Sequence, residues 1–279
     1  MCRLFGFRSV IQSQVHRSLI GADNALANQS SSHPDGWGVA YYVSDSPHLI
    51  RSAQAAFEDN LFSRVSGVVS SETVMAHIRR ATNGNINPLN THPFQYGRWV
   101  FAHNGNIKNF PQHRNRLLSA VAPRLRRFIL GETDSEVFFY LILSKLSARV
   151  DLSRKGCPVQ DLAEAARAAV AEVVSLAGEV HAKDDGPSGE TYLTFLLTDG
   201  EAMLAHQGGK NLYYSTYKNR CGERDTCPSF SFECENATKT GYINHLIFSS
   251  EPLSGENVWI PLKFGEMIGV DWGMKMTHF

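Results

Sequence analysis

Residues 191–207 read TYLTFLLTDGEAMLAHQ, two runs of strand-forming residues around Asp199-Gly200 and the strongest hairpin signal in the chain. What precedes it is helical. Residues 133–148 (TDSEVFFYLILSKLSA) have helical apolar spacing, with Thr133 and Glu136 as a capping box and Asp134 in the first turn. Residues 160–178 place Leu162, Ala166, Ala169, Val173 and Leu176 on one helical face and end at Gly178. Further toward the N-terminus, 3–10, 38–43, 74–78 and 99–103 read as strands, and 15–28 has helical spacing. Residues 111–130 scatter arginines among leucines, as on the solvated face of a helix. Beyond the hairpin, strands are expected at 212–217, 245–249, 257–262 and 267–272. Strands, two long helices, then strands again predict an α+β fold with segregated helices rather than βαβ alternation. No repeat or linker interrupts the text, so 1–279 reads as a single domain.

Composition narrows the function. The 279 residues are 43% hydrophobic and carry 27 basic against 27 acidic side chains, so no net field draws in nucleic acid or anionic lipid. The longest apolar run, Val137 to Leu143, is far shorter than the roughly 20 residues of a membrane span. The first ten residues, MCRLFGFRSV, lack the pattern of a secretory signal, and five cysteines do not form a paired framework; both point to the cytoplasm.

Four segments could carry chemistry. Removal of Met1 would leave Cys2 with a thiol and a free α-amine on one residue, the amine titrating near 7.7–8.0 and able to take the thiol proton. A buried cysteine packing as a small hydrophobe is the plainer alternative. In Phe101-Ala102-His103-Asn104-Gly105-Asn106 a strand runs into Asn-Gly, which is either a hairpin turn or a pair of donors for an oxyanion. In Ala76-His77-Ile78-Arg79, Arg79 follows an apolar strand and offers a fork suited to a carboxylate, although a surface arginine reads the same way. Asp134 is either a helix-dipole partner or the matching anion for an ammonium group. Cys221, Cys227 and Cys234 are separated by gaps too long for the usual zinc pairs, and no metal site is expected.

Taken in order, Met1-Cys2-Arg3-Leu4-Phe5-Gly6, His33-Pro34-Asp35-Gly36-Trp37-Gly38, the Arg79 segment, Asn90-Thr91-His92-Pro93-Phe94, His103-Asn104-Gly105 and Thr133-Asp134-Ser135-Glu136 make a constellation. It resembles the class II glutamine amidotransferases, whose nucleophile is an N-terminal cysteine. Ser250-Glu251-Pro252-Leu253 extends the likeness toward the stand-alone members, which include γ-glutamyl hydrolases of glutathione breakdown and ergothioneine synthesis. The resemblance implies a four-layer αββα sandwich of two antiparallel sheets between helix layers. It also implies Cys2 as nucleophile, Asn104 and Gly105 as oxyanion hole, Arg79 and Asp134 as holders of the substrate backbone, and Thr82 and His92 as pocket lining. No cofactor is implied. Arg80 and Asn83 depart from the synthase-linked members, which have Trp and His there, and leave the leaving group open. The expected activity is hydrolysis of a γ-glutamyl amide, either glutamine or a γ-glutamyl peptide or conjugate. The alternatives are a glutaminase subunit feeding ammonia to a separate synthase, a role beside a peptidase partner, and a non-catalytic binder of γ-glutamyl ligands.

Overall fold

The computed structural model describes every residue except Met1 and Lys239, and the counts below are of the described residues. Its strands are β1 (Arg3–Gln14), β2 (Trp37–Val43), β3 (Ser46–Ser52), β4 (Ser70–Ile78), β5 (Phe94–Tyr96), β6 (Trp99–Asn106), β7 (Tyr192–Thr198), β8 (Met203–His206), β9 (Tyr213–Ser215), β10 (His245–Ser249), β11 (Ile260–Pro261), β12 (Met267–Val270) and β13 (Met276–His278). Its α-helices are α1 (Leu26–Gln29), α2 (Asn60–Val68), α3 (Phe110–Ala120), α4 (Pro123–Arg126), α5 (Asp134–Leu146) and α6 (Val159–Ala177).

The strands form two antiparallel sheets, one ordered β11-β9-β10-β1-β4-β2-β3 and the other β13-β12-β8-β7-β6-β5. Alternation along each strand buries both faces. Leu4, Met75, Val100, Ala102, Leu196 and Phe248 meet between the sheets. Phe101, Phe195 and Leu197 on the second sheet pack outward against Phe138, Phe139 and Leu162 of α5 and α6. Phe5, Trp37, Val39 and Val74 on the first sheet pack outward against Leu19, Leu26 and Phe62. Three cores separate four layers, the αββα order. Gly6 lets the sheets close, since a Cβ there would stand 2.9 Å from Leu196 Cδ1.

Several expectations change. Residues 15–28 are not one helix. A π-helical turn at Arg17–Gly21 ends at extended Ala22, and α1 starts afresh. Gly21 weakens the helix there, and Asn24 is engaged elsewhere, donating to Pro252 O at 2.8 Å and accepting from Ser254 N at 2.7 Å. The arginine-rich stretch divides into α3 and α4, because Pro123 supplies no N–H and disfavours helix at Ala122. The capping box is half made: Thr133 Oγ1 accepts from Glu136 N at 3.2 Å, but the Glu136 carboxylate turns to Leu130 N at 3.1 Å and Gly131 N at 2.6 Å. The expected strand at 257–262 shrinks to Ile260–Pro261. Strand β3 escapes the sequence pattern because it is a polar edge strand, joined to β2 through Ser44 and Asp45 with φ of 48° and 67°. No helix among the described residues is long and apolar enough to cross a membrane.

Candidate active site

Cys2 stands one residue ahead of β1, between β4 and β10, and is 8% exposed. The register Arg3↔Ile78 brings it opposite the end of β4. There the Arg80 peptide brackets the sulfur, with Arg80 N–H donating to Cys2 Sγ at 3.3 Å and the thiol donating to Arg80 O at 3.5 Å. Burial pushes the Cys2 thiol above its ordinary value, against the opposing pull of the Arg80 N–H and the Arg79 guanidinium. A protonated thiol is a weak nucleophile, so a nucleophilic role at this position would call for a base.

Alternation from Leu4, Met75 and Val100, which face the inter-sheet core, carries Cys2, Arg79 and Asn104 onto the same inner faces. Arg79 is 2% exposed and lies in the fields of Cys2, Asp35 and Asp134, which oppose the lowering of its pKa by burial. Its Nη1 donates to Asn85 O at 3.1 Å and its Nη2 to Asn83 O at 2.9 Å. The guanidinium therefore shapes the loop that follows it while keeping further N–H donors. Asp134, also 2% exposed, opens α5. Its Oδ1 accepts from Ser135 N at 2.9 Å, as a first-turn acid does, and its Oδ2 accepts from Ile107 N at 2.7 Å, just beyond β6. The carboxylate thus serves the start of α5 and ties it to the end of β6.

Asn104 and Gly105 do not form a turn. They continue β6 and pair with Thr194 and Leu193 of β7. Asn104 is 3% exposed, and its Oδ1 has no partner among the described residues. Glycine at 105 is required by packing, since a Cβ would stand 2.0 Å from His103 Nε2 and 2.1 Å from Tyr192 O. The ring of His103 is fixed behind the strand by Ser135 Oγ at 2.9 Å and Tyr192 O at 3.0 Å.

The remaining expected residues sit differently. Thr82 is exposed on the loop after Arg79. His92 is buried in the wall, its ring centroid 4.2 Å from that of His77 and 4.6 Å from that of Phe94. Both ring nitrogens of His92 lack partners among the described residues, and burial lowers its pKa well below the ordinary value. His77 behaves likewise, with burial bringing it to about 3.

Other residues complete the frame. Arg79 N donates to Gly36 O at 2.7 Å, and Asp35 Oδ2 accepts from Ala81 N at 2.8 Å, so the Asp35-Gly36 segment braces the arginine loop. Gly38 admits the His92-Pro93 backbone, where a Cβ would stand 2.2 Å from His92 O. Asn83 Nδ2 donates to Asn106 Oδ1 at 2.8 Å, and Asn106 Nδ2 donates to Glu190 O at 3.1 Å, stitching the arginine loop to the end of β6. Asp35, Gly36 and Gly38 stood in a quoted motif without a role, whereas the Asn106 to Glu190 contact had no sequence signal.

The three later cysteines are elsewhere. Cys221, Cys227 and Cys234 line a cavity of about 490 Å³ that also includes Ser9, Gln14 and His245, toward the far end of β1 from Cys2. Among the described residues no group of three or more His, Cys, Asp or Glu side chains is arranged to hold a metal ion.

Comparison with known proteins places this geometry. The family model for class II glutamine amidotransferases matches residues 1–278. A Haemophilus influenzae protein provisionally named a glutamine amidotransferase is 28% identical over 288 residues, covering 100% of this chain and 87% of its own length. The γ-glutamyl-hercynylcysteine sulfoxide hydrolase of Mycobacterium tuberculosis is 39% identical over 74 residues, 26% of this chain and 32% of that one. A class II glutamine aminotransferase domain protein from Silicibacter pomeroyi superposes with a TM-score of 0.63 at 21% identity, over 100% of this chain and 98% of its own. That last likeness concerns the fold alone.

Proposed function

The chain belongs to the class II glutamine amidotransferases, a family of enzymes, and from that premise we propose that it hydrolyses a γ-glutamyl amide through a thioester on Cys2. The observation that carries this reading is the setting of the Cys2 thiol: bracketed by the Arg80 peptide, in the field of Arg79 and Asp134, and on the inner face of one sheet while Asn104 is on the inner face of the other. The name of the mycobacterial relative, a γ-glutamyl hydrolase, supports the same substrate class.

The chemistry follows from these groups. Removal of Met1 frees the α-amine of Cys2, which takes the thiol proton that burial otherwise retains. The thiolate attacks the δ-carbon of the glutamyl amide. The Asn104 carboxamide and Gly105 N–H receive the oxyanion, each such donor being worth about 3 kcal/mol in the transition state. Arg79 holds the substrate α-carboxylate with its remaining N–H groups, and Asp134 holds the α-ammonium. The protonated α-amine returns its proton to the departing nitrogen, leaving a glutamyl thioester. Water then attacks with the same amine as base, and glutamate departs with the thiol restored. Thr82 and His92 form part of the substrate wall, and residues 1–279 act as one domain.

The test is release of glutamate from glutamine and from γ-glutamyl peptides by the processed protein. A Cys2→Ala variant should remain folded, with an unchanged circular dichroism spectrum, and release no glutamate. Hydrolysis retained by that variant would refute the nucleophile assignment.

A further inference from the structure

A lysine and a cysteine meet in the cavity at the far end of β1. Lys218 Nζ donates to Cys221 Sγ at 3.8 Å, and both residues line that cavity of about 490 Å³. No carboxylate pairs with Lys218 among the described residues, so the thiol is the partner of its ammonium. The backbone imposes this contact from both sides. Lys218 N donates to Cys234 O at 2.9 Å, and Lys218 bridges to Asn257 in an antiparallel pair. Cys221 N donates to Glu235 Oε1 at 2.7 Å, and Cys221 O accepts from Arg224 N at 3.2 Å. Cys221 is 8% exposed, and its sulfur is free of any disulfide. Another thiol on the cavity wall, Cys234, is engaged by Asn244 Nδ2 at 3.1 Å. The thiolate is the form of cysteine that reacts with oxidants, and the contacting ammonium is the counter-charge it needs.

We propose that Lys218 and Cys221 react with dioxygen to form a covalent N–O–S bridge, a reversible redox modification at a site separate from Cys2. The spacing gives the reason. Nitrogen and sulfur at 3.8 Å are too far apart for a direct bond and leave room for one oxygen atom once they draw together. The step balances without any other reactant. The thiolate sulfur bonds one oxygen of dioxygen while the Lys218 ammonium gives a proton to the other. The neutral amine then bonds the oxygen already on sulfur, the O–O bond breaks, and the outer oxygen leaves with an N–H proton as water. Sulfur and nitrogen are each oxidised by two electrons, and dioxygen is reduced by four. The bridged segment is held to 256–258 by Asn219 N donating to Glu256 O at 2.8 Å and Val258 N donating to Tyr217 O at 3.0 Å. Bridging therefore locks this wall of the cavity, and a reductant releases it.

The experiment holds the full-length protein in air-saturated buffer without reductant, keeps a second sample free of oxygen, alkylates both with iodoacetamide and digests them with trypsin. In the aerated sample, peptides 211–220 and 221–224 should appear joined, with one oxygen more and two hydrogens fewer than the separate pair, no cleavage after Lys218 and no alkylation of Cys221. Dithiothreitol should return them to ordinary peptides, and the oxygen-free sample should contain only those. Lys218→Arg, which keeps the charge but has no primary amine, should abolish the joined species and leave Cys221 open to alkylation. Joined peptides that persist in that variant, a disulfide from Cys221 to Cys227 or Cys234, or complete alkylation of Cys221 after aeration would each overturn the bridge. None of these readouts uses glutamate release, so the bridge and the hydrolase reading stand or fall separately.

Discussion

Leu4 and Ser250 are joined by two hydrogen bonds, Leu4 N donating to Ser250 Oγ at 2.9 Å and Ser250 N donating to Leu4 O at 3.1 Å. The pair ties the start of β1, next to Cys2, to the end of β10, some 246 residues further along, and the ion pair between Arg3 and Glu251 reinforces it. This gives the Ser-Glu-Pro-Leu segment a physical role. Ser250→Ala would leave a buried N–H without its acceptor, a loss of about 1–3 kcal/mol. Urea denaturation should show that loss, and hydrolysis should fall as Cys2 loses its register against β4.

Gly38→Ala should destabilise the protein by about 1–3 kcal/mol. Its new Cβ would enter the space of His92 O, Pro93 and Arg51. The displaced segment includes His92, so a rise in KM should accompany the fall in stability. A thermal melt together with steady-state kinetics would check both.

Asn104→Ala should behave differently. The side chain hangs from a fully paired strand, and its Oδ1 makes no bond among the described residues. Folding should survive, while kcat falls by about 10²–10³ if the carboxamide faces the oxyanion. A kcat within a factor of three of the original enzyme would remove Asn104 from the mechanism.

Much of this was legible in the sequence, for identifiable reasons. Cys2, Arg79 and Asp134 could be named as candidates because their segments, taken in order, resemble those of the class II glutamine amidotransferases, whereas each alone had a plainer reading. The segregation of helices from strands followed from the change of period at residue 191 and pointed to α+β layers. What escaped notice depended on distant partners. Strand β3 is polar at an edge, where alternation carries little signal, and residues 15–28 lost their helix to Asn24 contacts with 252–254. The Asn-Gly at 104–105 looked like a turn locally and became strand because β7 pairs with it. The glycine there answers to His103 and Tyr192 rather than to φ.

Acid should weaken the fold through its buried imidazoles. Burial brings His77 to about 3 and His206 and His245 to about 4. In the unfolded chain each binds a proton near pH 6.5, so between that value and its folded value the unfolded state holds more protons. Stability is therefore full above about pH 6.5 and falls as pH drops, at up to about 1.4 kcal/mol per pH unit for each histidine. Denaturation midpoints at pH 7, 6 and 5 should show this decline, and His77→Phe should reduce its slope by one proton's worth.

The central claim, a glutamyl thioester on Cys2, is tested most directly by intact-mass spectrometry before and after incubation with 6-diazo-5-oxo-norleucine, a glutamine-like electrophile. The account predicts a mass lacking Met1, one adduct per chain, and that adduct on Cys2 in the fragment spectrum. A processed protein that stays unlabelled, or is labelled on Cys221, Cys227 or Cys234 instead, would contradict it.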